Sequence, residues 1–491
     1  VQCALPFDDR SEKLRPASPL VSRIVAAPLQ SLIVASVTRA KLSPMRVSVG
    51  HSRQSPKGIF ALAVFGLLVS ALLGPAFAET APPATPPAAE TPQAPAGAPA
   101  PAAAPAEAPS AGGEIPIKAT VPIVYLGKQY EEPLPLSYSE KIITDKGIQG
   151  ARLIIKEANQ AGGFVGFAFT LVEAIVPPSG DLVAKAKEVL KGGDAFIIAD
   201  LEAPDLIAVA DLPEAKNSVI VNIRANDEAL RQELCRSNVF HIIPDWAMRA
   251  DALAQYFIWK KWPRWFVIRG DTPADKDYLA QVKRSAARYG GKIVGEKVYD
   301  LPPGARNTDS GYQQVQSQIP METQGAPEHD LVWVINTDEG FGDYLAYRTY
   351  LPRPVVGTQG LQALAWDPSY TEYGAMHFQN GLPKLAKRRP VERDYTAWLG
   401  GRALTDGIMR SGKTTPPEVS AFLLSDQFKL EGFKGQAMSF RTWDHQLRQP
   451  IILGGGPRVP VSVSPQEGFL HETNLTDTLG IDKPETKCKL H

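Results

Sequence analysis

From residue 117 onward, apolar and polar residues alternate in blocks whose periods switch between those of strands and helices. IKATVPIVYL (Ile117–Leu126) is short, β-branched and apolar, and predicts a strand. In GIQGARLIIKEANQ (Gly147–Gln160), Ile148, Ala151, Leu153, Ile154, Ile155 and Ala158 fall at helical spacing, and Gly162-Gly163 stops the helix. The pattern then predicts a strand over Phe167–Val176, a helix over Leu182–Leu190, and strands over Ala195–Ala199 and Ser218–Ile223. A second series follows: helix Ala247–Lys260, strand Trp265–Arg269, helix Asp277–Tyr289, strands Lys292–Val298 and Asp330–Ile335, helix Gly340–Tyr350 and strand Pro354–Gly357. Helices Asp394–Met409 and Pro417–Leu424 precede a β-like stretch, Gln436–Leu453. Strands alternating with helices imply mostly parallel sheets covered on both faces. The expected fold class is therefore α/β, with two doubly wound lobes around a cleft.

The chain ahead of these lobes is of another kind. IFALAVFGLLVSALL (59–73) has no charge, yet fifteen residues fall short of the roughly 20 needed to span a bilayer. Arg46, Arg53 and Lys57 precede it and Ala76-Phe77-Ala78 follows, which is the layout of a secretory signal peptide cleaved after Ala78. Translation is expected to start at Met45, with residues 1–44 over-assigned and 45–78 the signal peptide. Residues 79–114 are mostly Ala and Pro, with ten of the 44 prolines inside 81–110. Such a segment stays extended and serves as a linker.

Composition narrows the function. The 491 residues carry 52 Lys+Arg and 52 Asp+Glu, a balance that argues against nucleic-acid binding. Without residues 1–78 the count is 43 against 49, a net charge of −6. Three cysteines exclude a disulfide-dense scaffold and a multi-Cys metal site. GIMRSGKT (Gly407–Thr414) matches a phosphate-loop pattern, but a helix precedes it and two prolines follow, so it reads as a helix end plus turn. No dinucleotide fingerprint, nucleophile elbow or zinc-protease motif occurs, and the seven His residues show no metal-ligand spacing. Neither a catalytic set nor a cofactor or metal is expected.

Polar and aromatic residues do follow predicted strand ends, where open α/β sheets bind ligands. Asp200 and Glu202 follow AFIIA, Asn336 and Asp338 follow VI, and Tyr138 and Trp246 lie near other strand ends. These residues are the candidate ligand-binding set, suited to a cationic or hydroxylated small molecule. An exported chain keeps only Cys235 and Cys488, and an oxidising compartment favours a disulfide between them; two free thiols are the alternative.

DKGIQGARLIIKEANQAGG (145–163), PDWAMRADALAQYFIWKKW (244–262) and GFKGQAMSFRTWDHQLRQPI (432–451) resemble the type 1 periplasmic binding proteins of the branched-chain amino-acid-binding kind. LRQELCRSNVFHIIP (230–244), SFRTWDHQLRQPI and the end DTLGIDKPETKCKL are similar to the subfamily associated with PQQ-dependent alcohol dehydrogenase systems. The resemblance implies a flytrap with three crossovers: lobe 1 from 115–244 plus 381–440, lobe 2 from 245–380 plus 441–491. It implies a periplasmic substrate-binding protein that hands a small molecule to an inner-membrane ABC permease. A periplasmic sensor or accessory carrier for an alcohol dehydrogenase system, without transport, is the alternative. One departure stands out. Where amino-acid binders place a hydroxyl-rich loop for the ligand carboxylate, this chain has Asp200-Leu201-Glu202-Ala203. Two carboxylates there would repel an amino-acid carboxylate, so amino-acid binding does not carry over.

Overall fold

The computed structural model describes residues 116–132, 141–299, 309–346, 348–455 and 461–490. All of them fall in one compact unit, Ala104–His491. The signal peptide and linker expected over 45–114, and Tyr138, lie outside the described residues.

Five strands build the first sheet: β1 (Ala119–Lys128), β2 (Phe167–Val176), β3 (Phe196–Asp200), β4 (Val219–Asn222) and β5 (Val239–His241). They run in the order β2-β1-β3-β4-β5, and every pairing is parallel. Helices α1 (Ile148–Gly162), α2 (Leu182–Leu190) and α3 (Ala203–Ala210) make the crossovers. β3 and β4 are buried along their whole length, as strands covered on both faces must be. One core lies under α1 and includes Ile123, Ile154, Ile198 and Val221; the other lies under α2 and α3 and includes Leu126, Ile197, Leu182 and Leu206.

The second sheet repeats the plan. After α4 (Trp246–Trp259) come β6 (Arg264–Arg269), α5 (Pro273–Tyr289), β7 (Lys292–Val298), α6 (Asp309–Gln324), β8 (Leu331–Ile335), the single turn α7 (Gly342–Leu345) and β9 (Val355–Gly357). The strand order is β7-β6-β8-β9, again all parallel. Trp265 and Trp333 pack 5.0 Å apart at its centre, both wholly buried.

The chain then crosses back. β10 (Gln362–Leu364) pairs antiparallel with β13 (Ile451–Gly454), and β13 with β14 (Ser462–Ser464). Between β10 and β13 come α8 (Met376–Ala386), α9 (Glu392–Ser411), α10 (Pro416–Leu423), β11 (Ser439–Phe440) and β12 (Leu447–Arg448). Trp366, Tyr370, Phe378 and Leu382 join the first lobe's core beside Tyr395 and Trp398. That packing assigns the segment from Ala365 to the first lobe, upstream of the 381 boundary expected from the sequence.

Other differences are local. The helix expected over Gly340–Tyr350 shrinks to α7, and α3, α6 and α8 are additions. α3 and α8 are short, and all three carry early or internal prolines that blur helical spacing: Pro204 in α3, Pro320 in α6 and Pro383 in α8. GIMRSGKT is the end of α9: Gly412 caps it at φ 68°, and Pro416 opens α10.

Candidate functional site

Both lobes have a topological switch point, where neighbouring strands lead their connections to opposite faces and leave a crevice at the carboxyl edge. In the first sheet it lies between β1 and β3, where Gly127 is in register with Asp200. In the second it lies between β6 and β8, whose last pair is Arg269 with Ile335; Gly270 and Asn336 follow at once. Asp200 and Asn336, two residues singled out from the sequence, therefore occupy equivalent places in the two lobes.

At the first crevice a cavity of ≈ 430 Å³ is lined by Tyr125, Glu132, Lys146, Asp200, Arg224 and Arg393 among others. Asp200 is buried and accepts a 2.8 Å hydrogen bond from the Tyr125 hydroxyl. Burial, and after it the Asp200 charge, raises the Tyr125 phenol well above its usual value, so it stays a donor. Arg224 lies 3.4 Å from Asp200 and 3.6 Å from Glu202, and Arg393 is 2.5 Å from Glu132. Burial alone would raise the Glu132 carboxyl, but Arg393 and Lys146 outweigh it and hold it down at about 2. Asp200 and Glu202 thus do not face the cleft as bare carboxylates. Two guanidinium groups offset them, which corrects the expectation of simple repulsion at this loop. Glu202 remains exposed; its backbone N–H donates to Tyr130 Oη at 3.0 Å.

At the second crevice a cavity of ≈ 500 Å³ is lined by Gly270, Thr272, Tyr299, Asn336 and Asp338 among others. Asn336 is buried, and its side chain organises the loop. Its amide oxygen accepts from Phe341 N at 2.8 Å and Gly342 N at 2.9 Å, and its amide nitrogen donates to Asp338. Asp275, wholly buried, caps α5 through Thr272 and takes both the backbone and hydroxyl protons of Thr337 at 2.8 and 2.9 Å. These bonds fix the loop after β8 before any ligand arrives. Gly357 ends β9 at φ 120°, where a Cβ would sit 2.1 Å from the Val334 carbonyl oxygen; only glycine lets the chain turn there.

A third cavity, ≈ 190 Å³, joins the lobes. Asn226 and Glu392 come from the first; Trp246, Arg249, Asn336 and Gln362 come from the second. Asp245 caps α4 by accepting from Met248 N at 2.6 Å, and this sets Trp246 at the helix start. The Trp246 ring stacks on Tyr278 with centroids 4.6 Å apart.

Residues 138–321 match the model of the periplasmic binding protein family. No curated protein matches the chain by sequence. Solved structures do match. The leucine-, isoleucine-, valine-, threonine- and alanine-binding protein of Brucella ovis shares 15% identity over 76% of this chain and 99% of its own, with a TM-score of 0.57. A periplasmic binding protein of Burkholderia mallei shares 17% over 76% and 99%, with a TM-score of 0.55. A solute-binding protein of an ABC transporter from R. palustris, in complex with benzoate, shares 15% over 76% and 100%, with a TM-score of 0.54. The fold is that of a type 1 periplasmic binding protein. Its lobes, switch points and interlobe cavity are the parts described above.

Within this periplasmic-binding-protein fold, the residues expected from sequence fall on different surfaces. Asp200 and Glu202 share the first wall; Asn336 and Asp338 share the second; Trp246 and Asn336 line the interlobe floor. Among the described residues, no hydrogen bond or ion pair joins Asp200 or Glu202 to Asn336 or Asp338. Tyr125, Arg224, Arg249, Tyr278, Glu392 and Arg393 escaped the sequence reading. Arg224 had a legible signal, its place just after SVIVNI; Glu392 and Arg393 had none, because a helix distant in sequence brings them in.

The disulfide is formed: Cys235 and Cys488 are bonded, with Cα atoms 5.7 Å apart across 253 residues of sequence. Next to it, Lys487 N donates to Gln232 Oε1 at 2.8 Å, while Glu485 lies 3.5 Å from Arg288 of α5. The tail therefore ties α5 to the segment before β5.

Proposed function

We propose that this chain is the exported substrate-binding protein of an ABC transporter. It binds a small molecule between its lobes and presents it to an inner-membrane permease. The observation that carries this reading is the interlobe cavity, floored by residues of both lobes at the carboxyl edges of two doubly wound sheets. A ligand there contacts both lobes only when they close on it, so binding stabilises the closed form. The solved structures with this fold include a leucine-, isoleucine-, valine-, threonine- and alanine-binding protein and an ABC-transporter solute-binding protein in complex with benzoate, which supports the class of function. Cleavage after Ala78 and a place in the periplasm follow from the leader pattern and suit the disulfide. The likeness of 230–244, 439–451 and 477–490 to the subfamily associated with PQQ-dependent alcohol dehydrogenase systems supports a link to PQQ-dependent alcohol oxidation. Asp200, Glu202, Trp246, Asn336 and Asp338, placed at or near the carboxyl ends of strands, are the binding set, with Tyr138 added from the sequence.

The test starts from protein isolated from its host. Denaturing it and analysing the released solutes by mass spectrometry should yield a small molecule that rebinds one-to-one by calorimetry. Disrupting the chain should then abolish uptake of that molecule. Rebinding without any loss of uptake would favour the sensor or accessory carrier over transport.

A further inference from the structure

The cavities of the cleft share one electrostatic property. Among the described residues lining them, the cations are already matched by carboxylates of the chain. Lys128 pairs with Asp205 at 3.0 Å, Lys146 and Arg393 pair with Glu132, and Arg224 lies between Asp200 and Glu202. On the floor, Arg249 Nη2 reaches both Glu392 oxygens at 2.9 and 3.0 Å. A ligand carboxylate would have to break such a pair and leave a part-buried carboxylate without its cation, which is costly. On the second wall, the exposed Asp338 spends Oδ1 on Asn336 and on Gly340 N.

Apart from the exposed Glu339, what the floor still offers is neutral. The Trp246 ring is part-exposed in the cavity and held from behind by Tyr278. Gln362 donates to Thr358 O at 2.6 Å and Asn226 to Pro244 O at 3.1 Å, which fixes both amides. Neither amide oxygen accepts a hydrogen bond from any described residue. Two fixed acceptors beside an aromatic face match O–H donors on a compact skeleton with a C–H face. The volume, ≈ 190 Å³, is below that of drug-sized sites and suits a small molecule.

We infer that the cleft floor takes an uncharged, polyhydroxylated small molecule, with its C–H face on Trp246 and its hydroxyl protons on Asn226 and Gln362. This rests on the solute-binding reading and narrows its ligand. It also sets this chain apart from binders of free amino acids and of aromatic carboxylates.

Calorimetry on the purified protein tests it with two sets of probes at low and high salt. The neutral set is glycerol, D-glucose and myo-inositol; the charged set is L-leucine, benzoate and ethanolamine. At least one neutral probe should bind one-to-one, with an affinity that does not change with salt. Trp246→Ala should then weaken it about tenfold, Trp246→Phe far less, and Gln362→Leu severalfold. If a charged probe binds and no neutral one does, the inference falls while the solute-binding reading stands. If no probe of either set binds to protein that circular dichroism shows folded, both are overturned.

Discussion

Arg249 and Glu392 meet across the lobe boundary. One guanidinium nitrogen of Arg249, on α4 of the second lobe, lies 2.9 and 3.0 Å from the two carboxylate oxygens of Glu392, on α9 of the first. A second nitrogen donates to the Ala363 carbonyl at 2.6 Å, and Glu392 also accepts from Ala365 N. This pair therefore fastens the base of the cleft to the second crossover, and it neutralises the floor on which a ligand would rest.

Breaking it should be costly, because Arg249 is buried and either survivor loses its partner. Arg249→Met or Glu392→Gln alone should destabilise the fold by about 2–3 kcal/mol. The double variant should lose less than the sum of the two. Urea unfolding of the four proteins gives the coupling directly; strict additivity would show that the pair contributes nothing as a pair.

Asp200 and Asp338 should respond differently to removal. Asp200 is buried against the Tyr125 hydroxyl, so Asp200→Ala leaves that buried donor with only the Lys146 carbonyl at 3.4 Å and should cost about 1–3 kcal/mol. Asp338 is exposed, and Asp338→Ala should stay within about 0.5 kcal/mol. Equal losses in thermal or urea unfolding would contradict this division between the two walls.

Lys434 makes stability depend on alkaline pH. Its ammonium is buried over the Tyr395 ring and, among the described residues, donates to two neutral oxygens, Gln449 Oε1 at 2.7 Å and the Pro450 carbonyl at 2.9 Å. Burial lowers its pKa to about 7. The unfolded chain then binds more protons than the folded one between pH 7 and the ordinary lysine value. Stability from this group therefore rises with pH across that window, and the penalty for the buried charge is full below it. Urea midpoints at pH 6.5, 8 and 9.5 should climb in the parent chain and stay flatter in Lys434→Met. Parallel profiles would rule this origin out.

The Cys235–Cys488 bond should withstand thiol labelling of the unfolded, unreduced protein, with neither residue modified. Breaking it by Cys488→Ser should lower stability by about 2–4 kcal/mol, chiefly by freeing the unfolded chain. Peptide mapping that finds label on both residues without reductant would refute the pairing.

Much of this molecule follows from local pattern. Ile148–Ala158 repeats at helical spacing and forms α1; Phe167–Val176 forms β2 with the bounds its composition predicts; Leu182–Leu190 forms α2. A period of 3.6 or 2 is set by neighbours in sequence, so such elements are legible without the fold. The alternation of strand and helix also implied the two lobes, and the rule for strand ends picked out Asp200 and Asn336. Tertiary structure decided the rest. Arg393 reaches Glu132 across 261 residues of sequence, and Cys488 reaches Cys235 across 253. Whether Asp200 repels a ligand depends on Arg224 and Arg393 beside it. Whether Trp246 presents a fixed face depends on Tyr278 behind it. Such electrostatic and packing terms act through a few ångströms of space, and no local period encodes which distant residue will fill them.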